Sequence, residues 1–254
     1  MTGSLTLESS VYSAGTQHPD HEHDTLQLSL VLYGRLSETV GGATETAGPL
    51  SVVVKDPGVV HSDDFLTKVR LVRLTLPATT LCDVIDDPAR SASWRWTHHP
   101  HVAGSFLRLV HRARQECVTF DANDEDIVDL VAAITARPAP PPGGAAPQWL
   151  RDTMTELSHS WNATTTVPRV AERAGVHPVY LARCVRRWFG TGLGEELRRL
   201  RLQSAAADLI ETRSTVSTVA HANGFSDEPH LCRELGRSIG LSPRRYRTLM
   251  NSVS

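Results

Sequence analysis

Val219-Ala220-His221-Ala222-Asn223-Gly224-Phe225-Ser226-Asp227-Glu228-Pro229-His230-Leu231-Cys232-Arg233 decides the reading of this chain, because its landmarks occur twice. Val170-Ala171-Glu172-Arg173-Ala174-Gly175 stands 49 residues before Val219–Gly224. Leu181-Ala182-Arg183 stands 50 residues before Leu231-Cys232-Arg233, and Phe189-Gly190 stands 50 before Ile239-Gly240. A fixed period of this kind marks one structural unit used twice, with one extra residue in the second turn. In the first unit the spacing predicts a short helix over Val167–Ala174, ended by Gly175, which tolerates a left-handed backbone. Pro178 suits the first turn of a second helix, where its missing N–H is not needed. Leu181, Val185 and Trp188/Phe189 then carry an apolar stripe. In the second unit Ser226 is expected as the N-cap, and Asp227-Glu228 favour the positive helix start. Two helices around a tight glycine turn form a helix-turn-helix, whose second helix fits the major groove of DNA. A helix expected over roughly Gly194–Thr212 separates the units by about 26 Å of rigid spacer. That length suits two readers about one turn of DNA apart, roughly 34 Å.

Charge follows the same division. The net charge is -2, but residues 148–254 carry 15 Arg, no Lys and 10 Asp+Glu, a balance of +5. Residues 1–147 carry 11 Lys+Arg and 18 Asp+Glu, a balance of -7. Only the basic half is suited to a polyanion. The segment Arg137–Pro147, RPAPPPGGAAP, can neither continue a helix nor pair in a sheet, so it reads as a linker. The domains expected are therefore 1–136, a linker 137–147, and 148–254.

The first domain alternates like strands. Leu26-Leu28-Leu30-Leu32, Val52–Val54 and Val69–Leu76 are apolar rows. Gly41-Gly42, Gly48-Pro49 and Asp56-Pro57-Gly58 are turn signals between them. Short strands at this spacing predict a small barrel or sandwich. Two helical stripes follow: Phe106, Leu109/Val110, Ala113 and Cys117, then Ile127, Leu130/Val131 and Ile134. They are expected to form a core and to serve as the surface of a homodimer.

No run approaches the apolar length of a membrane span, and MTGSLTLESS lacks the basic and apolar regions of a signal peptide, so no membrane partner is expected. Cys82, Cys117, Cys184 and Cys232 form no CxxC and read as reduced thiols of a cytoplasmic protein.

The C-terminal region resembles the AraC/XylS family of bacterial regulators. The resemblance rests on Val219-Ala220-x3-Gly224-Phe225-Ser226-Asp227-x2-His230-Leu231-x-Arg233 and on Gly240-Leu241-Ser242-Pro243-x2-Tyr246-Arg247. Ala171-x2-Ala174-Gly175-Val176 and Arg198-Arg199-Leu200-Arg201-Leu202 extend it into the first unit. Leu193, where the family usually has proline, and Gly236, inside the second recognition helix, depart from the pattern. The resemblance implies an α+β multidomain protein: an N-terminal cupin-like β barrel with two helices, and a C-terminal all-α domain with two helix-turn-helix units. It implies a non-enzymatic activator or repressor that binds double-stranded DNA and contacts RNA polymerase. Carried onto matching positions, the DNA-reading residues are Val179, Ala182, Arg183 and Arg186 in the first unit. In the second they are Asp227, Glu228, His230, Cys232 and Arg233. Arg244 and Arg245 are expected on phosphate. Arginine can pair bidentately with guanine, and a small apolar side chain can touch a thymine methyl.

Gly15-x5-His21-x-His23-x3-Gln27-x6-Gly34 resembles the first cupin motif, with glutamine where metal-binding cupins have glutamate. Asp56-Pro57-Gly58-x2-His61 resembles the second, with aspartate where proline is usual. Side chains alternate along a strand, so His21 and His23 are expected on one face, with Gln27 on the same parity. His61 from a distant strand would complete a site for Zn²⁺, Fe²⁺ or Mn²⁺. The same barrel can instead be a metal-free pocket for a small-molecule effector, walled by Trp94 and Trp96. Two other readings stand beside a sensor: a cupin metalloenzyme fused to a DNA-binding module, and a constitutive DNA binder with a structural barrel.

Overall fold

The computed structural model describes residues 6–76, 94–115, 127, 130 and 145–252. They fall into two compact units. One draws on Met1–Ala136, Ala206–Ser214 and Cys232–Ser254, the other on Arg137–Ala205 and Thr215–Leu231. Residues 137–144 of the expected linker lie outside the described residues, as do Cys82 and Cys117.

Among the described residues nine strands precede the first helix: β1 (Thr6–Tyr12), β2 (Gln17–His21), β3 (Leu26–Tyr33), β4 (Leu36–Val40), β5 (Ala43–Ala47), β6 (Val52–Lys55), β7 (His61–Phe65), β8 (Val69–Leu76) and β9 (Trp94–Thr97). They form two antiparallel sheets, ordered β1-β8-β3-β6-β9 and β2-β7-β4-β5. Val31 and Leu71 of the first sheet pack with Leu36, Ala47 and Phe65 of the second, so the two inner faces share one interior. Among the described residues the ladders do not join the sheets into a closed ring, so the expected barrel is an open one.

Strand β3 shows how the sequence builds this interior. Every residue of Leu26–Tyr33 is buried. The leucine row Leu26, Leu28, Leu30 and Leu32 is wholly buried on the face away from the second sheet. Each such leucine stabilises the fold by roughly 1.5–3 kcal/mol. The alternate row, Gln27, Ser29 and Val31, faces the second sheet, and a register irregularity follows between Val31 and Tyr33. The barrel interior therefore receives the polar row of its most apolar strand.

Helix α1 (Pro100–Gln115) buries Val102, Phe106, Leu109 and Val110, and the helical residues Ile127 and Leu130 are also buried. Phe106, Leu109, Val110, Ile127 and Leu130 are the described members of the two stripes expected at a dimer surface. Packing within one chain already covers them, so they are not available to a second copy. The side chain of Ala113 and residues Cys117, Val131 and Ile134 are outside what is described.

From residue 145 on, the described helices are α2 (Gln148–Ser160), α3 (Val167–Arg173), α4 (Pro178–Phe189), α5 (Leu193–Glu211), α6 (Val216–Ala222), α7 (Glu228–Ile239) and α8 (Pro243–Ser252). Leu150, Leu157, Val170, Leu181, Val185 and Leu197 form the core of the first helix-turn-helix. Leu193, in place of the family's proline, opens α5 and is 2% exposed, so it contributes packing where proline would contribute stiffness. The turn glycines Gly175 and Gly224 have φ of +66° and +75°. At Gly224 the requirement is double, since a Cβ would stand 2.8 Å from Ala163 O. Arg201 fastens the same loop by donating to Thr165 O at 3.1 Å.

Candidate nucleic-acid interface and barrel interior

Helices α4 and α7 are the second helices of the two units, and each is amphipathic for a visible reason. In α4, Leu181 and Val185 are buried one turn apart. That turns Val179, Arg183, Arg186 and Arg187 to solvent, with Ala182 half-buried between the faces. In α7, Leu231, Leu235 and Ile239 are buried at every fourth position. Pro229, Arg233, Gly236 and Arg237 are then exposed. The period of 3.6 residues makes this outcome obligatory once the apolar stripe is buried.

Of the residues expected to read bases, Val179, Arg183, Arg186 and Arg233 are exposed on the outward stripes. Glu228 and Cys232 are half-buried at their edges, and Cys184 and Cys232 form no disulfide. Asp227 and His230 are committed locally. Asp227 Oδ1 accepts from His230 N at 2.7 Å, which makes Asp227, not Ser226, the cap of α7. His230 Nδ1 is 3.1 Å from Ser226 Oγ, and its ring edges onto Phe225 at 5.3 Å. The N-cap of α4 is His177, which accepts from Val179 N at 3.2 Å. Two exposed arginines were missed: Arg187 and Arg237. They carry the same 50-residue offset as Arg183 and Arg233, which is the signal that finds them. Arg237 pairs with Glu234 at 2.6 Å, but an exposed pair of this kind holds it only weakly. Arg244 and Arg245 are exposed in the first turn of α8, where the helix dipole adds to their attraction for an anion. Arg247 is structural, donating to Leu209 O at 2.7 Å and Ser214 O at 2.8 Å.

The barrel interior holds a buried polar network. Lys55 Nζ lies 2.7 Å from Glu38 Oε1 and 2.9 Å from His61 Nε2. The Lys55 and Glu38 side chains are 6% and 1% exposed. Glu38 Oε2 accepts from the indole N–H groups of Trp94 and, at 2.7 Å, Trp96. Burial pushes the Glu38 carboxyl up, but the charge and hydrogen bond of Lys55 and the Trp94 donor hold it below its ordinary value. Burial raises Asp63, opposed by Lys55 and reinforced by Glu38. His61 is lowered by burial and by Lys55.

His21, His23 and His61 do come together, with ligating atoms within 4.8 Å of one another. The route differs from expectation: β2 ends at His21, so His23 is not on its strand, and a register irregularity lies between His18 and His21. His21 stands opposite His61 across the β2–β7 ladder. Val59 O can only accept, so His61 Nδ1, 3.0 Å away, carries the proton. Its Nε2 lone pair is then the one that Lys55 occupies. His21 Nδ1 likewise donates to Pro19 O at 2.9 Å, which leaves its Nε2 open. His23 is pushed down to about 4 by burial, then by Lys55, His61, His21 and Arg73, so it is neutral at pH 7. Gln27 is 6% exposed, and its Oε1 has no partner. It is directly opposite Lys55 on the β3–β6 ladder and so shares its face. Both tryptophans donate to Glu38, and of the two Trp96 lines a concavity with Ser29, Lys55 and Arg73.

Residues 170–248 match a family described as a helix-turn-helix domain. Over 87 residues the chain is 30% identical to the HTH-type transcriptional regulator YobQ of Bacillus subtilis, covering 34% of this chain and 36% of the relative. Over 81 residues it is 31% identical to the HTH-type transcriptional regulator Rv1931c of Mycobacterium tuberculosis, covering 32% and 31%. The chain thus spans about a third of the length of these curated relatives. Among solved structures, the C-terminal domain of AraT, a response regulator from Geobacillus stearothermophilus, aligns at 24% identity with a TM-score of 0.38, covering 41% of this chain and 88% of that one. ToxT from Vibrio cholerae aligns at 7% identity with a TM-score of 0.40, covering 97% and 99%.

Proposed function

We propose that this chain, which carries an AraC-type helix-turn-helix domain over residues 170–248, is a sequence-specific transcriptional regulator. One observation carries the reading. Both second helices turn an arginine pair to solvent at matching repeat positions, Arg183 with Arg187 and Arg233 with Arg237. Such a stripe can place guanidinium groups on base edges in the major groove, while Arg244 and Arg245 hold phosphate. The barrel acts as the sensor, and a small molecule bound there shifts the protein between two arrangements that differ in DNA affinity. The barrel performs no catalysis in this scheme. The protein works in the cytoplasm and contacts RNA polymerase. Among the described residues no helix is long and apolar enough to cross a membrane. A homodimer would need a surface other than the buried stripes, and sedimentation of the full chain at tens of micromolar tests for one.

The metal reading turns on Lys55. Three imidazoles suit Zn²⁺. Yet the one His61 nitrogen able to bind it already accepts from an ammonium, and Gln27 supplies no charge. A divalent ion at that spot would meet the lysine charge directly. We therefore read the barrel as holding no resident Zn²⁺, Fe²⁺ or Mn²⁺. Stoichiometric, submicromolar Zn²⁺ binding to the unmodified protein at neutral pH would overturn this.

Selection from a random duplex library tests the main proposal. A motif with two separate preferred blocks is expected, with affinity falling steeply as salt rises. Recovery of no preferred sequence, by protein that is folded, would refute it.

A further inference from the structure

The compact units do not follow the boundary that the linker marks. Cys232–Ile239, most of the second reading helix, belongs with residues 1–136, and so do all of α8 and the C-terminal end of α5. The first reading helix, α4, belongs to the other unit. Its core shows why: every member of that apolar cluster lies from Ala146 to Leu200, so the first reader is packed by its own stretch of chain.

The second reader is held by a contact of another kind. Gly104 lies inside α1, where alanine would favour the helix more. Gly104 does not have a positive φ, so backbone freedom does not account for it. Close approach does. A Cβ at Gly104 would stand 2.9 Å from Ile239 Cα and 3.2 Å from its carbonyl carbon and oxygen, all backbone atoms of the last residue of α7. Backbone cannot swing aside as a flexible side chain can, so only glycine lets α1 sit this close. Gly104 is buried, and so is Ile239. Two further ties lie in the same unit. Arg247 of α8 donates to Leu209 O and Ser214 O, which fastens α8 to the end of α5. Lys68, in the turn between β7 and β8, acts on Glu211 at that end: burial raises the Glu211 carboxyl, Asp208 adds to the rise, and the lysine charge opposes both.

Helix α1 is in turn joined to the barrel interior. His98 and His99 alone separate it from β9, whose Trp94 and Trp96 donate to the buried Glu38. His98 Nδ1 lies 2.8 Å from Ser51 Oγ, which pins that connection beside β6.

We propose that the two readers answer to different parts of the chain: α4 stands on its own core, whereas α7 is seated on α1 through Gly104, so the barrel domain acts on DNA through the second reader alone. Arg233 and Arg237 are exposed while α7 is seated, so the seated form is the one that reads DNA. This rests on reading the chain as a DNA-binding regulator with a sensory barrel, and it names the contact and the half of the operator through which regulation passes.

The test uses the full chain. Hydrogen exchange without DNA compares wild type with Gly104→Ala: amides of α7 and α8 should exchange several-fold faster in the variant, and those of α4 at an unchanged rate. Duplexes that keep both selected blocks, or only one, are then measured by fluorescence anisotropy; the block that Arg233→Ala relaxes belongs to α7. Gly104→Ala should lose about fivefold or more on duplexes that keep the α7 block, the lower end of ordinary coupling between sites, and less than about twofold on the duplex that keeps only the other. By linkage, wild-type protein on the α7 block alone should show slowed exchange in α1, and on the α4 block alone should not. That arm decides the matter if the variant does not fold. Exchange or affinity that changes alike for both readers, or for neither, would overturn the proposal, as would protection of α1 by the α4 block. Faster exchange confined to α7 and α8, in a chain that selects no DNA motif, supports the seat and removes the regulator reading.

Discussion

Replacing Lys55 with methionine tests the electrostatic centre of the barrel, because it keeps the length and the packing of the stem while deleting the charge. At 2.7 Å the Lys55–Glu38 attraction is about 6 kcal/mol at an effective dielectric of about 20, most of it offset in the wild type by the cost of burying both charges. In the variant the carboxylate keeps its two indole donors but loses its cation. It escapes by taking up a proton. From the ordinary value of 4.5, that costs about 1.36 kcal/mol for each of about 2.5 pH units, or about 3.4 kcal/mol at pH 7. His61 Nε2 also loses its donor, about 1 kcal/mol more. Lys55→Met should therefore destabilise the barrel by about 3–5 kcal/mol at pH 7. Glu38 in the variant has a raised folded value, so the deficit is small near the unfolded value and grows as pH rises through neutrality. Adding Glu38→Gln removes the stranded charge and should recover more than half of the loss. Urea unfolding at pH 5.5 and 7.5, arranged as a double-mutant cycle, measures all three quantities. A Lys55→Met protein within about 1 kcal/mol of wild type at pH 7.5, or a deficit that does not change with pH, would refute the reasoning.

Arg183→Ala should cost about 1–3 kcal/mol at its cognate site and relax preference at one position, whereas Arg244→Ala or Arg245→Ala should weaken all sequences alike and flatten the salt dependence; selected motifs and salt titrations separate the two behaviours. His23 is held at about 4 in the folded chain against 6.5 when unfolded, so the unfolded chain binds the extra proton first and stability should fall as pH drops from about 6.5 to about 4. His23→Gln should remove that component of the acid sensitivity, read as the pH dependence of the urea midpoint. Two glycine substitutions should have opposite signs. Gly224→Ala forces a Cβ to 2.8 Å from Ala163 O at φ +75° and should cost more than about 1 kcal/mol. Gly236→Ala, with nothing within 4 Å, should stabilise α7 by about 0.5–1 kcal/mol in the same urea assay.

The helical domain was legible in the sequence because its information is local and doubled. Buried leucine and valine at helical spacing, a glycine at each turn and a 50-residue offset are all properties of short segments, and the structure places Leu181, Val185, Leu231 and Leu235 inside as that spacing requires. The cap of α7 was misplaced by one residue because Ser226 and Asp227 are both competent caps, and only backbone geometry selects Asp227. Barrel strands such as β3, β6 and β8 were visible as apolar rows, and the histidine motifs correctly named residues that meet. What the sequence could not decide is what else meets them. Glu38, Lys55 and the Trp94/Trp96 pair come from separate strands, and no motif ties them to the histidines, yet the ladders bring them onto the same buried centre as His61. Strand register determines which side chains share an interior, and register is a long-range property set by how both sheets pack. For that reason the helix-turn-helix units follow from the sequence alone, whereas the ammonium on His61 is a decision of the tertiary structure.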